Sequence, residues 1–161
     1  MKPQLQEFNQ ELLKRVTHFL WRQWGQLGMA SSSVEPRDGW LIDPEALLLL
    51  SATYARHDPR LFDEIMDWLS INSGFVNVSR LKSALHKYNF SGRNILSALS
   101  ARITRENKRI NWKLPTANLN AGPEPLFLDT TGKPLPDFGQ NDEIFLDAGF
   151  KRGKVEFSLY A

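Results

Sequence analysis

The stretch LKSALHKYNFSGRNILSALSARITRENKRINWK, from Leu81 to Lys113, determines how the rest of the chain is interpreted. Its pattern predicts a helix, a tight turn, a second helix and a basic strand. We expect Asn89 to adopt the left-handed conformation that such a turn needs, because Asn tolerates it better than most residues. Ser91 is expected to cap the second helix through its hydroxyl. The apolar residues that would pack the two helices of a helix-turn-helix together are Ala84, Tyr88, Phe90, Ile95 and Ala98.

The first turn of the second helix in a helix-turn-helix reaches base edges in the major groove of DNA. We therefore expect Arg93 and Asn94 to contact bases. The basic segment Asn107 to Leu114 would form the first strand of a wing, with Trp112 holding that strand to the core. The predicted DNA-binding residues are Arg80, Lys82, Lys87, Ser91, Arg93, Asn94, Ser97, Arg102, Arg105, Lys108, Arg109 and Lys113.

Positive charge is concentrated in the same part of the chain. Residues 80–113 contain nine Lys or Arg and one acidic residue, Glu106, whereas the whole chain has a formal net charge of +2. Concentrated charge beside a reading helix is what phosphate contacts require. The alternative interpretation is a solvated basic face on a structural helix.

Composition sets the class of protein. The chain has 161 residues, 42% of them hydrophobic and 24% charged, which suits one domain or a helical domain with a small appendage. The absence of cysteine excludes disulfides and thiolate metal sites. Neither a signal peptide nor an apolar run long enough to span a bilayer is visible, so we expect a soluble, cytoplasmic protein without membrane partners.

Helical periodicity precedes and includes this stretch. Apolar residues recur at three- and four-residue steps across residues 4–27, and Asp-Pro pairs at Asp43 and Asp58 mark two further helix starts. Phe75-Val76 would be a short strand before a helix capped by Asn77 or Ser79. Helical phase places seven residues in the core: Leu48, Leu49, Phe62, Ile65, Leu69, Leu81 and Leu85.

The sequence changes character after Leu114. Residues 114–125 read as a linker, and short apolar runs at 126–128, 144–146 and 155–160 predict strands. The predicted fold is therefore mainly α with a small β segment: a winged helix-turn-helix-like domain (1–113), a linker (114–125) and a C-terminal β extension (126–161). Because the last strand still runs at Ala161, the chain is expected to be a fragment of a longer protein, or to pair that strand with another chain.

Catalytic and cofactor motifs are absent from the sequence. The three His residues lie on separate elements without metal-ligand spacing, and no phosphate-binding or nucleophile-elbow motif is present. Asp63 and Asp67 share a helix face without a third ligand, which favours a solvated face. We expect no enzyme activity, no metal and no cofactor.

The run Trp40 to Leu69, WLIDPEALLLLSATYARHDPRLFDEIMDWL, with GFVNVSRLK after it, resembles the opening part of bacterial winged-helix regulators. These regulators are encoded beside AbiEii-type nucleotidyltransferase toxins. The resemblance covers about half the chain and rests on spacing and on the two Asp-Pro helix starts. It implies an AbiEi-like antitoxin or transcriptional regulator, and no residue role is carried over from it.

Two functions remain open at this point. The first is a transcriptional regulator that binds double-stranded DNA, in one version an antitoxin that represses its own operon. Its further expected partners are a cognate toxin and a second copy of the chain in a homo-oligomer. The second is a non-catalytic helical interaction module whose basic face binds an acidic protein. An exposed helix N-terminus at Ser91 would favour the first function. A buried Arg93 beside an apolar groove would favour the second.

Overall fold

The chain is described here by a computed structural model that covers residues 3–29, 39–114, 122–137 and 139–153. Two short strands, β1 (Glu124–Pro125) and β2 (Phe150–Lys151), pair in parallel. The mainly α fold with a small β segment is thus confirmed. The helices are α1 (Pro3–Gln26), α2 (Pro44–Tyr54), α3 (Pro59–Asn72), α4 (Val78–Lys87), α5 (Arg93–Glu106) and α6 (Glu143–Asp147), with 3-10 turns at Ala55–His57 and Ser73–Phe75.

Local sequence explains where the helices begin. Asp58 accepts a hydrogen bond from the Leu61 amide at 3.0 Å, and Pro59 occupies the first turn of α3. Asn77 caps α4 by accepting from the Arg80 amide at 3.1 Å. Asp43 also precedes a proline, yet its side chain makes no cap hydrogen bond and instead pairs with the Arg80 guanidinium.

The core forms where the C-terminal half of α1 meets α2 and α3. The Trp24 indole donates to the Ser51 hydroxyl at 2.9 Å, and its ring meets the Trp68 ring edge-on at 5.1 Å. Six of the seven residues placed in the core by helical phase are buried, and Leu49 is partly buried. The N-terminal half of α1 lies outside this core, with Leu5, Phe8 and Leu12 exposed.

The C-terminal segment contributes to the same core. The Phe62 ring on α3 contacts Phe127 at 5.5 Å and Phe145 at 5.9 Å between ring centroids. Arg56, in the turn after α2, donates to the carbonyls of Leu126 at 3.0 Å and Pro125 at 2.8 Å. The domain boundaries stay a prediction, because most of the linker and the predicted strand 155–160 lie outside the described residues.

Three predicted strands are wrong or reduced. Ile144–Leu146 lies in α6, which Asp142 caps by accepting from the Ile144 amide at 2.9 Å. In 126–128, only Leu128 forms a bridge, to Pro134. Phe75 belongs to a 3-10 turn. No helix within the described ranges is long and apolar enough to cross a membrane.

Candidate nucleic-acid interface

The turn between α4 and α5 differs from the predicted helix-turn-helix. Asn89 is not left-handed, since none of the described non-glycine residues has a positive φ. Ser91 does not cap α5. The N-cap is Gly92, which makes no side-chain cap bond. A Cβ on Gly92 would lie 3.0 Å from the backbone carbonyl carbon of Ala52, so the start of α5 lies directly against α2. The helix N-terminus is therefore not presented for insertion into a groove.

Arg93 points back into the protein. Its guanidinium donates to the carbonyl of Leu85 and, at 3.4 Å, to that of Tyr88. These carbonyls lie at the C-terminal end of α4, where helix carbonyls lack intrahelical partners and favour a cation. The prediction that Arg93 projects toward base edges is wrong for this conformation, because its Nη2 group is bonded to carbonyls at the end of α4.

Helix α5 is a core helix rather than an exposed reading helix. Every residue from Ile95 to Ser100 is buried, and α5 contacts α2, α3 and α6. Ser97, predicted to bind DNA, is buried, with its hydroxyl 3.5 Å from the Leu114 carbonyl. Asn94 is half-buried. Of the residues expected to form the recognition surface, Ser91 is exposed, Arg93 and Asn94 are half-buried, and Ser97 is covered by the protein itself.

Two of the predicted phosphate-binding cations are already paired with carboxylates. Arg80 lies 2.7 Å from Asp43 and 3.4 Å from the buried Glu45, and its hydrogen bond to Asp43 raises the pKa of the guanidinium. Arg102 pairs with Glu106 at 2.9 Å and with Asp142 at 3.2 Å. The positive charges of Arg80 and Arg102 are therefore balanced by carboxylates of the same protein.

Six other cations remain exposed. None of them has a carboxylate oxygen within 4.0 Å among the described residues, although Lys87 does lie 5.3 Å from the centre of the Tyr88 ring. A cation without a carboxylate partner can attract an external anion with its full positive charge. We name this set the free cations: Lys82, Lys87, Arg105, Lys108, Arg109 and Lys113.

The segment predicted as a wing strand has the alternation of a strand but no strand partner in the described residues. Ile110, Trp112 and Leu114 are buried, which confirms the core position of Trp112. The outward positions between them are occupied by Asn111 and Lys113, and the exposed Arg109 lies in a turn just before Ile110. We call Arg109, Asn111 and Lys113 the basic row. The alternation of buried and exposed positions was predicted correctly, but the predicted strand over 107–114 is wrong, because no strand is formed there.

The segment that carries the basic row returns from the end of α5 to its start. The Leu114 carbonyl lies beside Ser97 near the start of α5, and Asn107, just past its end, donates to the Ser70 carbonyl at 3.2 Å. The segment thus runs back along the helix, whose 14 residues span about 21 Å. Lys113 lies at the same end of α5 as the α4 terminus, and Arg105 and Lys108 at the other. The free cations of the row are spaced along this length.

An ion-pair network that sequence reasoning missed joins α3, α5 and the C-terminal segment. Arg152 lies 2.5 Å from Asp63 and 3.9 Å from Asp142, which also pairs with Arg102. Burial raises the pKa of Asp63, and Arg152 opposes that rise. Asp63 is thus paired on a face that was expected to be solvated, although its side chain stays 41% exposed and Asp67 on the same face is exposed. The partners are 89 residues apart, and no local sequence signal connects them.

Comparison with known proteins adds no relative: no family model, no curated protein and no solved structure matches the chain. Within the described residues, no group of three His, Asp or Glu side chains is placed to hold a metal ion. The candidate site is thus defined by surface charge alone.

Proposed function

We propose that the protein is a non-enzymatic regulator that binds double-stranded DNA mainly through its phosphate backbone. The observation that carries this proposal is the set of free cations, which make up six of the nine Lys and Arg residues between 80 and 113. Backbone neutralisation by Lys and Arg supplies most of the affinity of sequence-independent DNA binding.

Phosphate contacts, rather than base contacts, suit this geometry. Of the two residues expected to contact bases, Arg93 binds α4 carbonyls and Asn94 is half-buried. Ser97, expected to bind DNA from the same helix, lies in the core. The exposed row Arg109, Asn111 and Lys113 offers two cations with a polar residue between them, on the segment that follows α5. Such contacts position a protein on a duplex without reading its sequence.

The resemblance to AbiEi-like antitoxins supports a regulatory role. In its antitoxin form, the proposal adds a cognate nucleotidyltransferase toxin as a partner. Co-expression with a nucleotidyltransferase encoded beside the gene tests this form directly. Restored growth supports it, and unrelieved toxicity contradicts it.

The proposal is tested by fluorescence anisotropy with the upstream DNA of the protein's own operon and with a scrambled duplex, over a series of salt concentrations. We expect Lys113→Gln and Arg109→Gln each to weaken binding to both duplexes alike. Each should reduce the slope of log affinity against log salt by about one unit. Lys151→Gln is the matched control, because it removes one exposed charge outside residues 80–113.

A second candidate is an interaction module that binds an acidic protein, and one observation favours it: Arg93 Nη2 is turned inward toward the end of α4. The exposed Tyr88 beside Lys87 is also typical of protein interfaces. Absence of binding to any duplex at low salt would reject the DNA proposal. Capture of an acidic protein that depends on Lys87 and Lys113 would then support the second candidate.

A further inference from the structure

Helix α1 carries an apolar stripe that the described core leaves uncovered. Its 24 residues span about 36 Å, and only the C-terminal half packs into the core, where Leu20 and Trp24 are fully buried. In the N-terminal half, Leu5 is 52%, Phe8 62% and Leu12 48% exposed. An apolar helix face of this kind marks an interaction site more often than an ordinary surface.

The stripe is symmetric about Leu12. Phe8 and Val16 lie four positions on either side of it, and Leu5 and Phe19 lie seven positions away. At 100° per residue, all five positions fall on one narrow face of the helix. Two copies of α1 that cross antiparallel at Leu12 would therefore place Leu5 against Phe19 and Phe8 against Val16. Val16 and Phe19 are only partly buried by the core, so the stripe continues onto the body of the protein.

Along one flank of the stripe, acidic residues lie toward the N-terminus and basic residues toward the C-terminus. Glu7 and Glu11 precede Arg15, His18 and Arg22 on that side of α1, and all but the half-buried Arg22 are exposed. In the antiparallel pair, each acidic half faces the basic half of the other copy. Glu11 would lie about 3 Å along the axis from Arg15 of the second copy.

We propose that the α1 stripe is a self-association surface, on which a second copy of this chain docks with α1 antiparallel and centred on Leu12. Apolar burial drives the association. Charge complementarity selects the antiparallel direction, because only in that direction does this flank meet the same flank of the second copy. In a parallel pair it would face the opposite flank, where Gln6 and Leu13 carry no charge. The existing pair between Arg15 and Glu11 in one helix, at 2.9 Å, leaves both side chains exposed and able to bond a second partner. This inference does not depend on DNA binding.

The first test is the oligomeric state of the full chain by analytical ultracentrifugation across a wide range of concentration. We expect a dimer, and we expect Leu12→Asp to halve the sedimenting mass without changing helix content by circular dichroism. Ile71→Asp, at an 81% exposed position on α3, is the matched control and should leave the dimer intact. A parent chain that stays monomeric would overturn the proposal, whether another protein or another segment of the same chain covers the stripe. A dimer that survives Leu12→Asp would also overturn it.

The second test fixes the direction of pairing and uses the absence of cysteine in the chain. A short bismaleimide should crosslink Leu12→Cys to itself, because this position lies at the centre of the pair. Phe8→Cys alone should give no crosslinked dimer, whereas a mixture of Phe8→Cys and Val16→Cys should give one. Self-crosslinking of Phe8→Cys, with no crosslinked heterodimer of Phe8→Cys and Val16→Cys in the mixture, would show parallel pairing and overturn the antiparallel arrangement.

Discussion

At the scale of single residues, Gly92 determines how closely the α4–α5 turn approaches α2. Its φ of −81° is ordinary, so the requirement for glycine here is one of space rather than of conformation. A Cβ would lie 2.7 Å from the Phe90 ring and 3.0 Å from the Ala52 backbone. The ring can rotate away, but the backbone of α2 cannot move without disturbing the core.

We therefore expect Gly92→Ala to lower the free energy of unfolding by about 1–3 kcal/mol, the usual range for overpacking. Gly74→Ala is the matched control, because a Cβ there meets no atom within 4 Å. Urea denaturation followed by circular dichroism measures both. Equal stability of the two variants would mean that the turn and α2 are separated more widely than described here.

Arg93 also has a structural role at this scale. Removing its guanidinium leaves the carbonyls of Leu85 and Tyr88 without their charged donor. We expect Arg93→Ala to cost about 1–3 kcal/mol in unfolding free energy, and Arg105→Ala, an exposed control on the same helix, to change it by less than about 0.5 kcal/mol. Preference between operator and scrambled DNA should be the same for Arg93→Ala as for the parent. Unchanged stability with a flattened preference would instead assign Arg93 to base reading.

At the scale of elements, the sequence indicated most helices but not how far they are buried. The helical periodicity of apolar residues and the Asp-Pro helix starts predicted α1, α2 and α3, because both signals are local in the sequence. The burial of α5 was missed because this helix was expected to face DNA, with Ser97 among the binding residues. Ser97 and Ser100, which interrupt its apolar residues, are both buried. The run Ile144–Leu146 fits a strand or a short helix equally well, and the Asp142 cap decides for α6.

The loop after Leu128 depends on one carboxylate. Asp129 accepts from the Thr131 hydroxyl at 2.7 Å and from the amides of Thr131 at 2.8 Å and Lys133 at 2.9 Å. These bonds, the Thr131 hydroxyl first among them, hold the pKa of Asp129 below its ordinary value of 3.8. A lowered pKa in the folded state means that the charged form stabilises the loop above about pH 4. This contribution is lost as the pH falls through the folded pKa.

We expect an NMR titration to place the Asp129 midpoint below 3.8, with the amide shifts of Thr131 and Lys133 following the same curve. Asp129→Asn keeps an acceptor oxygen without the charge, so those two amides should lose that titration. A midpoint at or above 3.8 would show that the carboxylate is not held by these donors in solution.

At the scale of the whole molecule, the arrangement depends on contacts between residues far apart in sequence. Arg56 binds backbone carbonyls about 70 residues away, and Arg152 pairs with Asp63 across 89 residues. Neither arginine is distinguishable in the sequence from an ordinary surface cation. The predicted domain boundary at the linker placed the two partners of each of these contacts in different parts of the chain. It was drawn from a change of periodicity, which carries no information on packing.

These long-range contacts predict that residues 122–153 unfold together with the helices. Phe145 is fully buried against Phe62, so Phe145→Ala should cost about 3–5 kcal/mol. Trp24 and Trp68 lie on the helical side of this contact. Their fluorescence should report the loss of stability at the same denaturant midpoint as circular dichroism. Phe75→Ala, at a 73% exposed position, should leave that midpoint in place. If Phe145→Ala instead produced a separate early transition with the tryptophan midpoint unchanged, the C-terminal segment would fold independently, as the linker at 114–125 first indicated. A single shifted transition would show that Phe62, Phe127 and Phe145 join both parts of the chain in one cooperative core.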